Sequence, residues 1–387
     1  MLPRLLYVGD VAVEASYHGS ALLHRLLSHY PPERLTIVET ATQSEKSRRL
    51  PQVKYLFHPI ANMRWLNTRF HPYATVWFTN KGKHSAPQIC ESLNGLNFDS
   101  VLTVAHGFGW LAASAIASKA TAPLHLVVHD DWPMVANITP AFRHWLERRF
   151  AKVCCQARSR LCVSTAMSRI YEKRYAAQAQ VMYPTRAVNS PVFAGPPARV
   201  GRNDHAFTVA FAGTINTEGY VRALVGLQEA LKPIDGRLLI FGPLTSNEAR
   251  RVGLNDRHTQ IRGLLSTNDL MTSLRDEADA LFAPMSFDPA DRPNMETAFP
   301  SKLADYTAMG LPLLIYGPSY CSAIGWAREN PGVAEIVECE AELDRAITLL
   351  AGNPNKRLEL GKNALIVGQK YFAHDRVREQ FYAALSA

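Results

Sequence analysis

The stretch Leu124-His125-Leu126-Val127-Val128-His129-Asp130-Asp131-Trp132-Pro133 runs from an apolar segment into a polar corner closed by proline. A short apolar run ending in turn residues reads as a strand buried on both faces. Helical spacing follows at 141–154, then another run at 160–163 and another helical stretch at 166–176. Toward the N-terminus the same alternation appears. Runs at 4–8 and Ser100–Val104 precede helical stretches at 18–30 and 110–119. Strand and helix in alternation specify a parallel sheet with helices on both faces.

The segment 186–205 breaks the pattern with Pro191, Gly195, Pro196, Pro197 and Gly201. The alternation restarts at 207–212, with further runs at Arg237–Phe241, 280–283 and 313–316 and helical stretches at 220–231, 267–277 and 302–309. Two doubly wound halves are expected: a domain over 1–190, a linker over 191–205 and a domain over 206–387, whose last helix can cross back to the first. Ligands of such sheets bind at the carboxyl ends of the strands, so the two edges are expected to face each other across a cleft. One segment, 51–83, resists this reading. It mixes Trp65, Phe70, Tyr73, Trp77 and Phe78 with Arg64, Arg69, Lys81 and Lys83.

Composition sets outer limits. The chain has 387 residues, 47% of them apolar and 20% charged, an ordinary globular mixture. No uninterrupted apolar stretch is long enough to span a bilayer. The first residues read as a buried strand and not as a signal peptide. Cys90, Cys154, Cys155, Cys162, Cys321 and Cys339 form no Cys-x-x-Cys pair, which argues against zinc and disulfide frameworks and for a reducing, cytoplasmic setting. The net charge of +8 is uneven: residues 1–200 hold 23 Lys and Arg against 11 Asp and Glu, while 201–387 hold 19 against 23. The basic half suits an anionic membrane surface or a charged acceptor. No helix-turn-helix, zinc-finger or RNA-binding signature accompanies it, so nucleic acid is not an expected partner.

Three constellations carry chemistry. Gly9-Asp10 leads to Tyr17-His18-Gly19-Ser20, where a helix start near Gly19 offers backbone N–H groups to an anion; the spacing is neither a dinucleotide fingerprint nor a P-loop. His129 with Asp130 and Asp131 lies at a strand end, where an imidazole oriented by a carboxylate can serve a ligand hydroxyl or a developing charge. The third is Phe299-Pro300-Ser301-Lys302-Leu303-Ala304-Asp305-Tyr306-Thr307-Ala308-Met309-Gly310. Ser301 is the expected N-cap and Gly310 the expected C-terminal stop. Lys302 adds a full charge at the helix start, and Asp305 follows one turn later.

In this order the three pieces resemble the GT-B glycosyltransferases, and among them family 4. The Phe-Pro-Ser-Lys run looks like a variant of that family's donor-site helix. Cys162-Val163-Ser164-Thr165-Ala166-Met167 and Met182-Tyr183-Pro184 resemble the later strands of its first domain, Ala210-Phe211-Ala212-Gly213-Thr214 looks like the start of its second domain, and Ile261-Arg262-Gly263 also fits. The resemblance implies an α/β GT-B fold and a retaining hexosyl transfer from a UDP- or GDP-linked sugar. The acceptor would be a glycan, a lipid-linked molecule or a small molecule. Neither a metal nor a further cofactor is implied. The enzyme would be cytoplasmic, or peripheral at the inner face of the membrane. Carried over, His129, Asp130 and Glu296 would be catalytic. Gly19, Ser20, Thr214, Arg262, Ser301, Lys302 and Asp305 would bind the donor, Asp305 at its ribose. The family's two glutamates fall at Thr297 and Asp305, with Glu296 one residue away. Its Arg and Lys fall near Thr214 and Glu218, with Arg222 as a substitute cation. A non-catalytic GT-B protein that binds a nucleotide sugar or supports a partner subunit is the alternative, and a GT-B isomerase of the nucleotide-sugar epimerase type is a third reading.

Overall fold

The computed structural model describes residues 1–15, 18–215, 217–254 and 257–386. The chain forms two compact units. One comprises Met1–Thr185, Thr297–Phe299 and His374–Ala387; the other comprises Arg186–Glu296 and Pro300–Ala373.

The first unit holds seven strands: β1 (Leu5–Gly9), β2 (Leu35–Glu39), β3 (Lys54–Phe57), β4 (Ser100–Val104), β5 (Leu124–Val128), β6 (Ser159–Cys162) and β7 (Gln180–Val181). They lie in the order β3-β2-β1-β4-β5-β6-β7, every neighbouring pair parallel. All residues of β1, β4 and β5 are buried, so these strands read as continuous apolar runs in the sequence. The order reverses between β1 and β4. Loops leave in opposite directions there and open a crevice at the carboxyl edge.

The second unit repeats the plan with six strands: β8 (Thr208–Ala212), β9 (Arg237–Phe241), β10 (Thr259–Gly263), β11 (Ala280–Pro284), β12 (Leu313–Tyr316) and β13 (Ala334–Val337). Their order is β10-β9-β8-β11-β12-β13, again all parallel, and the reversal falls between β8 and β11. Phe211, Ile240, Phe282 and Leu314 from the sheet pack with Leu224, Leu227 and Ile347 from its helices in one apolar core. The α/β, twice doubly wound reading of the sequence is what the chain adopts.

The segment 51–83 resolves into β3, a short helix at Met63–Leu66 and the helix His71–His84. Phe78 turns into the core against Phe108, 5.7 Å between ring centres. Trp65, Phe70, Tyr73 and Trp77 stay exposed. The segment 186–205 is more than a tether. Arg186 donates to the Ala304 carbonyl at 3.0 Å and to the Thr307 hydroxyl at 3.2 Å. Gly368 leaves the room these two side chains occupy. Among the described residues no helix is long and apolar enough to cross a membrane.

Candidate functional site

In the first unit the chemistry collects where β1, β4 and β5 end. The β4–β5 register pairs Val104 with Val127, and two residues further on it brings His106 beside His129. Their rings lie 5.5 Å apart and nearly parallel, 22° between planes. The Asp130 Oδ2 atom sits 3.2 Å from His129 Nε2 and 3.6 Å from His106 Nδ1. Burial alone would raise the Asp130 carboxyl; the two imidazoles overcome it and hold the group well below the usual carboxylate range. Trp132 closes over His106, 4.7 Å between ring centres.

Gly19 lies in the first turn of the helix His18–Leu27. A methyl group there would fall 3.2 Å from His129 Cε1 and 3.4 Å from Nε2. Glycine therefore lets the helix start approach the imidazole edge. Ser20 follows it in the same turn, with Tyr17 just outside the described residues.

Asp10, at the end of β1, accepts the amides of Phe108 at 2.6 Å and Gly109 at 2.9 Å, and the Thr40 hydroxyl. Gly107 adopts φ +63° and has the Asp10 carboxylate where a side chain would go. The N-terminus of the helix Gly109–Ala120 is thus filled by the protein's own carboxylate. Burial raises the Asp10 carboxyl, opposed by these donors and by nearby His106.

The pair Asp130 and Asp131 does not act together. Asp131 is buried and bonded to Arg174 at 2.8 and 2.9 Å, with the Tyr171 hydroxyl 3.4 Å away. It braces the corner, while Asp130 alone faces the histidines.

In the second unit the glycines mark the same kind of edge. Gly213 follows β8 and Gly242 follows β9, so close that a side chain on Gly242 would strike the Gly213 carbonyl. Gly219, in the first turn of the helix Glu218–Leu231, has Ser286 from the end of β11 where a side chain would go. The Thr217 hydroxyl caps that helix by accepting from the Tyr220 amide at 3.4 Å.

Lys302 reaches into this corner. Its Nζ lies 4.0 Å above the centre of the Phe211 ring and 5.4 Å from that of Tyr220. It would be 3.4 Å from a methyl group on Gly213. No carboxylate pairs with it among the described residues. Burial lowers its ammonium from the ordinary lysine range to about 7. The Tyr306 hydroxyl fixes the helix that carries it: it donates to the Ala212 carbonyl at 3.1 Å and accepts from the Ala212 amide at 2.6 Å.

Several expectations about this helix are corrected. It spans only Lys302–Tyr306. Ser301 has helical dihedral angles, φ −56° and ψ −26°, and its side chain caps nothing. The amides of Leu303 and Ala304 bond back to the carbonyls of Pro300 and Ser301 at 3.0 and 3.1 Å, so these N–H groups are not free for a ligand. Gly310 does adopt the left-handed φ of +68°, but three residues of turn separate it from the last helical residue. Asp305 is part-buried beside Arg186, whose positive charge it supports.

The remaining site residues lie elsewhere. Thr214 follows Gly213 and is part-buried in the same loop. Arg262, on edge strand β10, is ion-paired with Glu277. Arg222 is bound to Asp288 at 3.1 Å and to Glu218 at 3.6 Å on an exposed face, so it is no substitute cation at Gly213. Glu296 is half-buried and lies 3.8 Å from Arg292. Thr297 lends its carbonyl to the Ser164 hydroxyl at 2.6 Å within the first unit. The residues missed from sequence are His106, Arg186 and Tyr306. Only His106 had a signal: it closes the run Ser100–Val104 much as His129 closes Leu124–Val128.

Known structures with this architecture supply the remaining comparison. HepE of Anabaena, solved in complex with UDP, matches with a TM-score of 0.71 at 13% identity, over 99% of each chain. The chain has the GT-B fold. A glycosyltransferase from Rickettsia africae matches at TM-score 0.66 and 14% identity, covering 98% of this chain and 97% of that one. WaaG, a glycosyltransferase involved in lipopolysaccharide biosynthesis, matches at TM-score 0.63 and 12% identity over 99% of both. No protein-family model and no curated relative matches the sequence.

Proposed function

We propose that this protein is a glycosyltransferase that moves a hexose from a UDP- or GDP-linked donor to a hydroxyl of a glycan, a lipid-linked molecule or a small molecule. The observation that carries the reading is Lys302: a cation without a carboxylate partner among the described residues, at the carboxyl edge of β8, in a GT-B fold. A diphosphate is the anion that suits it. HepE and WaaG support the reading by fold.

In the reaction the bond between the sugar's anomeric carbon and the diphosphate oxygen breaks, and the acceptor oxygen forms the new glycosidic bond. Lys302 stabilises the negative charge that builds on the leaving diphosphate. His129, with Asp130 holding its orientation, meets the transferred sugar. The acceptor's proton passes to the leaving phosphate, which places the new bond on the face the old one left and retains configuration. Lys302 takes the charge-neutralising part that a metal ion plays in other enzymes. Within the second unit Thr214 and Ser301 line the donor and Asp305 serves its ribose, while Gly19 and Ser20 are the first unit's own candidate anion contacts.

The test is an assay of UDP or GDP release from a panel of nucleotide sugars with hydroxyl acceptors. Turnover with one sugar is expected. His129→Ala should lower kcat about a hundredfold while nucleotide affinity stays near that of the parent, since the imidazole meets the sugar and not the base. Loss of nucleotide binding in a folded His129→Ala protein would refute that role.

The second reading, a nucleotide-sugar binder without turnover, is favoured by Thr214 and Glu218 at the cation positions and by the engagement of Arg222 with Asp288. Tight nucleotide binding with no release of nucleotide from any sugar in the panel would establish it.

Attachment at the membrane surface belongs to the same proposal. Phe70, Tyr73 and Trp77 share one face at the start of the helix His71–His84, with Trp65 nearby and Arg64, Arg69, Lys81 and Lys83 exposed among them. Aromatic rings with interleaved cations suit an anionic bilayer surface. The protein should co-sediment with phosphatidylserine vesicles at low salt, and Trp77→Ser/Tyr73→Ser should weaken this. Equal binding to neutral and anionic vesicles would count against the electrostatic part.

A further inference from the structure

We propose that His106, His129 and Asp130 form a binding site for a divalent ion of the zinc type. The claim goes beyond sugar transfer and stands apart from it. The three donor atoms, His106 Nδ1, His129 Nε2 and Asp130 Oδ2, lie within 4.8 Å of one another. Two of the edges measure 3.6 and 3.2 Å. A tetrahedral ion with bonds of about 2.1 Å separates its donors by about 3.4 Å, a value these two edges bracket.

Two imidazoles and one carboxylate are a ligand set that zinc and its neighbours accept, with a position left for water. The His106 Nδ1 atom gives a second reason. It is shut off from solvent and has no hydrogen-bond partner; Asp130 Oδ2 at 3.6 Å is too far to serve. A buried polar atom left this way is uncommon in a native protein, and an ion would satisfy it. Both histidines follow paired strands, and Trp132 packs on His106.

Binding requires both coordinating nitrogens to present a free lone pair. On the transfer reading an ion here is inhibitory, because it takes the imidazole that meets the sugar. That consequence rests on the proposed function; the binding claim does not.

The experiment is calorimetric titration of chelator-treated full-length protein with Zn²⁺, with a parallel Co²⁺ titration followed by visible absorption. The parent should take up one high-affinity zinc ion per chain and show the intense bands of low-coordinate cobalt. In His106→Ala the affinity should fall at least about tenfold, since even loss of an outer-sphere partner costs that much. His144→Ala, at an exposed histidine on the helix Pro140–Gln156, should bind as the parent does. Circular dichroism establishes that each variant is folded. The site is disproved if the parent takes up no zinc and shows no cobalt bands, or if folded His106→Ala binds zinc with parental affinity. Should His106→Ala not fold, the cobalt spectrum of the parent decides.

Discussion

Replacing Lys302 with alanine should lower kcat/KM for the nucleotide sugar by about 10²–10³, the loss seen when one preorganised donor to a developing negative charge is removed. The same substitution should weaken a nucleoside diphosphate far more than the nucleoside, because Lys302 meets only the phosphates. The pH dependence makes the prediction specific. Burial puts the Lys302 ammonium at about 7 in the free protein, and a bound diphosphate raises it. Above about pH 7 the complex then holds a proton that the free protein lacks, so affinity falls as pH rises, by at most about tenfold per unit. Below that value Lys302 is charged in both states and the slope vanishes. An intact nucleotide sugar is the right probe, since its diphosphate is doubly esterified and does not titrate in this range. Isothermal titration from pH 6 to 9 should show the slope in the parent and none in Lys302→Ala. Parental affinity and slope in that variant would remove the donor site from this corner.

Arg357→Ala should destabilise the second unit by about 3–5 kcal/mol, because several buried neutral acceptors lose their donor at about 1–3 kcal/mol each. The guanidinium is fully buried. Its Nε donates to the Val200 carbonyl at 2.9 Å, and Nη1 to the carbonyls of Leu350 and Ala351 at 2.6 and 2.9 Å. Nη2 reaches the Arg202 carbonyl and the Asn203 side chain. Removing it leaves these acceptors buried without a donor, and each carries its own desolvation penalty. Arg357→Met keeps the packing of the stem and should be nearly as destabilising, because the orphaned carbonyls remain. Exposed Arg257→Ala should stay within about 0.5 kcal/mol of the parent. Urea melts followed by circular dichroism would measure all three. A loss below about 1 kcal/mol for Arg357→Ala would mean that water replaces the guanidinium, and that 198–203 is not pinned as described.

Strands β1, β4, β5, β8, β9, β11 and β12 were legible because a parallel strand covered on both faces is a continuous apolar run. The edge strand β3 was not: its residues are exposed or half-buried and it begins at Lys54. The helix His71–His84 hid for a different reason. Besides Phe78, its inward face is Ala74, Thr75, Thr79 and Gly82, which makes no apolar stripe. The two threonines are tolerated there because their hydroxyls donate to the carbonyls of His71 and Thr75, four residues back. Ser301 was misjudged because serine before a charged residue is a common cap, and only the dihedral angles show that Ser301 has already entered the turn.

The sequence by itself determined the alternation of strand and helix behind the two sheets, the placing of His129 at a strand end and the presence of a lysine in a Phe-Pro-Ser-Lys run, since each depends on neighbours within a few residues. It could not tell which acid faces the histidine. Asp130 and Asp131 are adjacent in the chain, yet backbone direction sends one to His106 and His129 and the other to Arg174. Nor could it tell where Lys302 points. A lysine at a helix start is usually solvated; this one is turned over Phe211 and Tyr220, on a helix held by the bonds between Tyr306 and Ala212. Those partners lie 82 to 94 residues away in sequence. Charge, burial and the acidity of an ammonium depend on distance in space, and only the tertiary structure sets that distance.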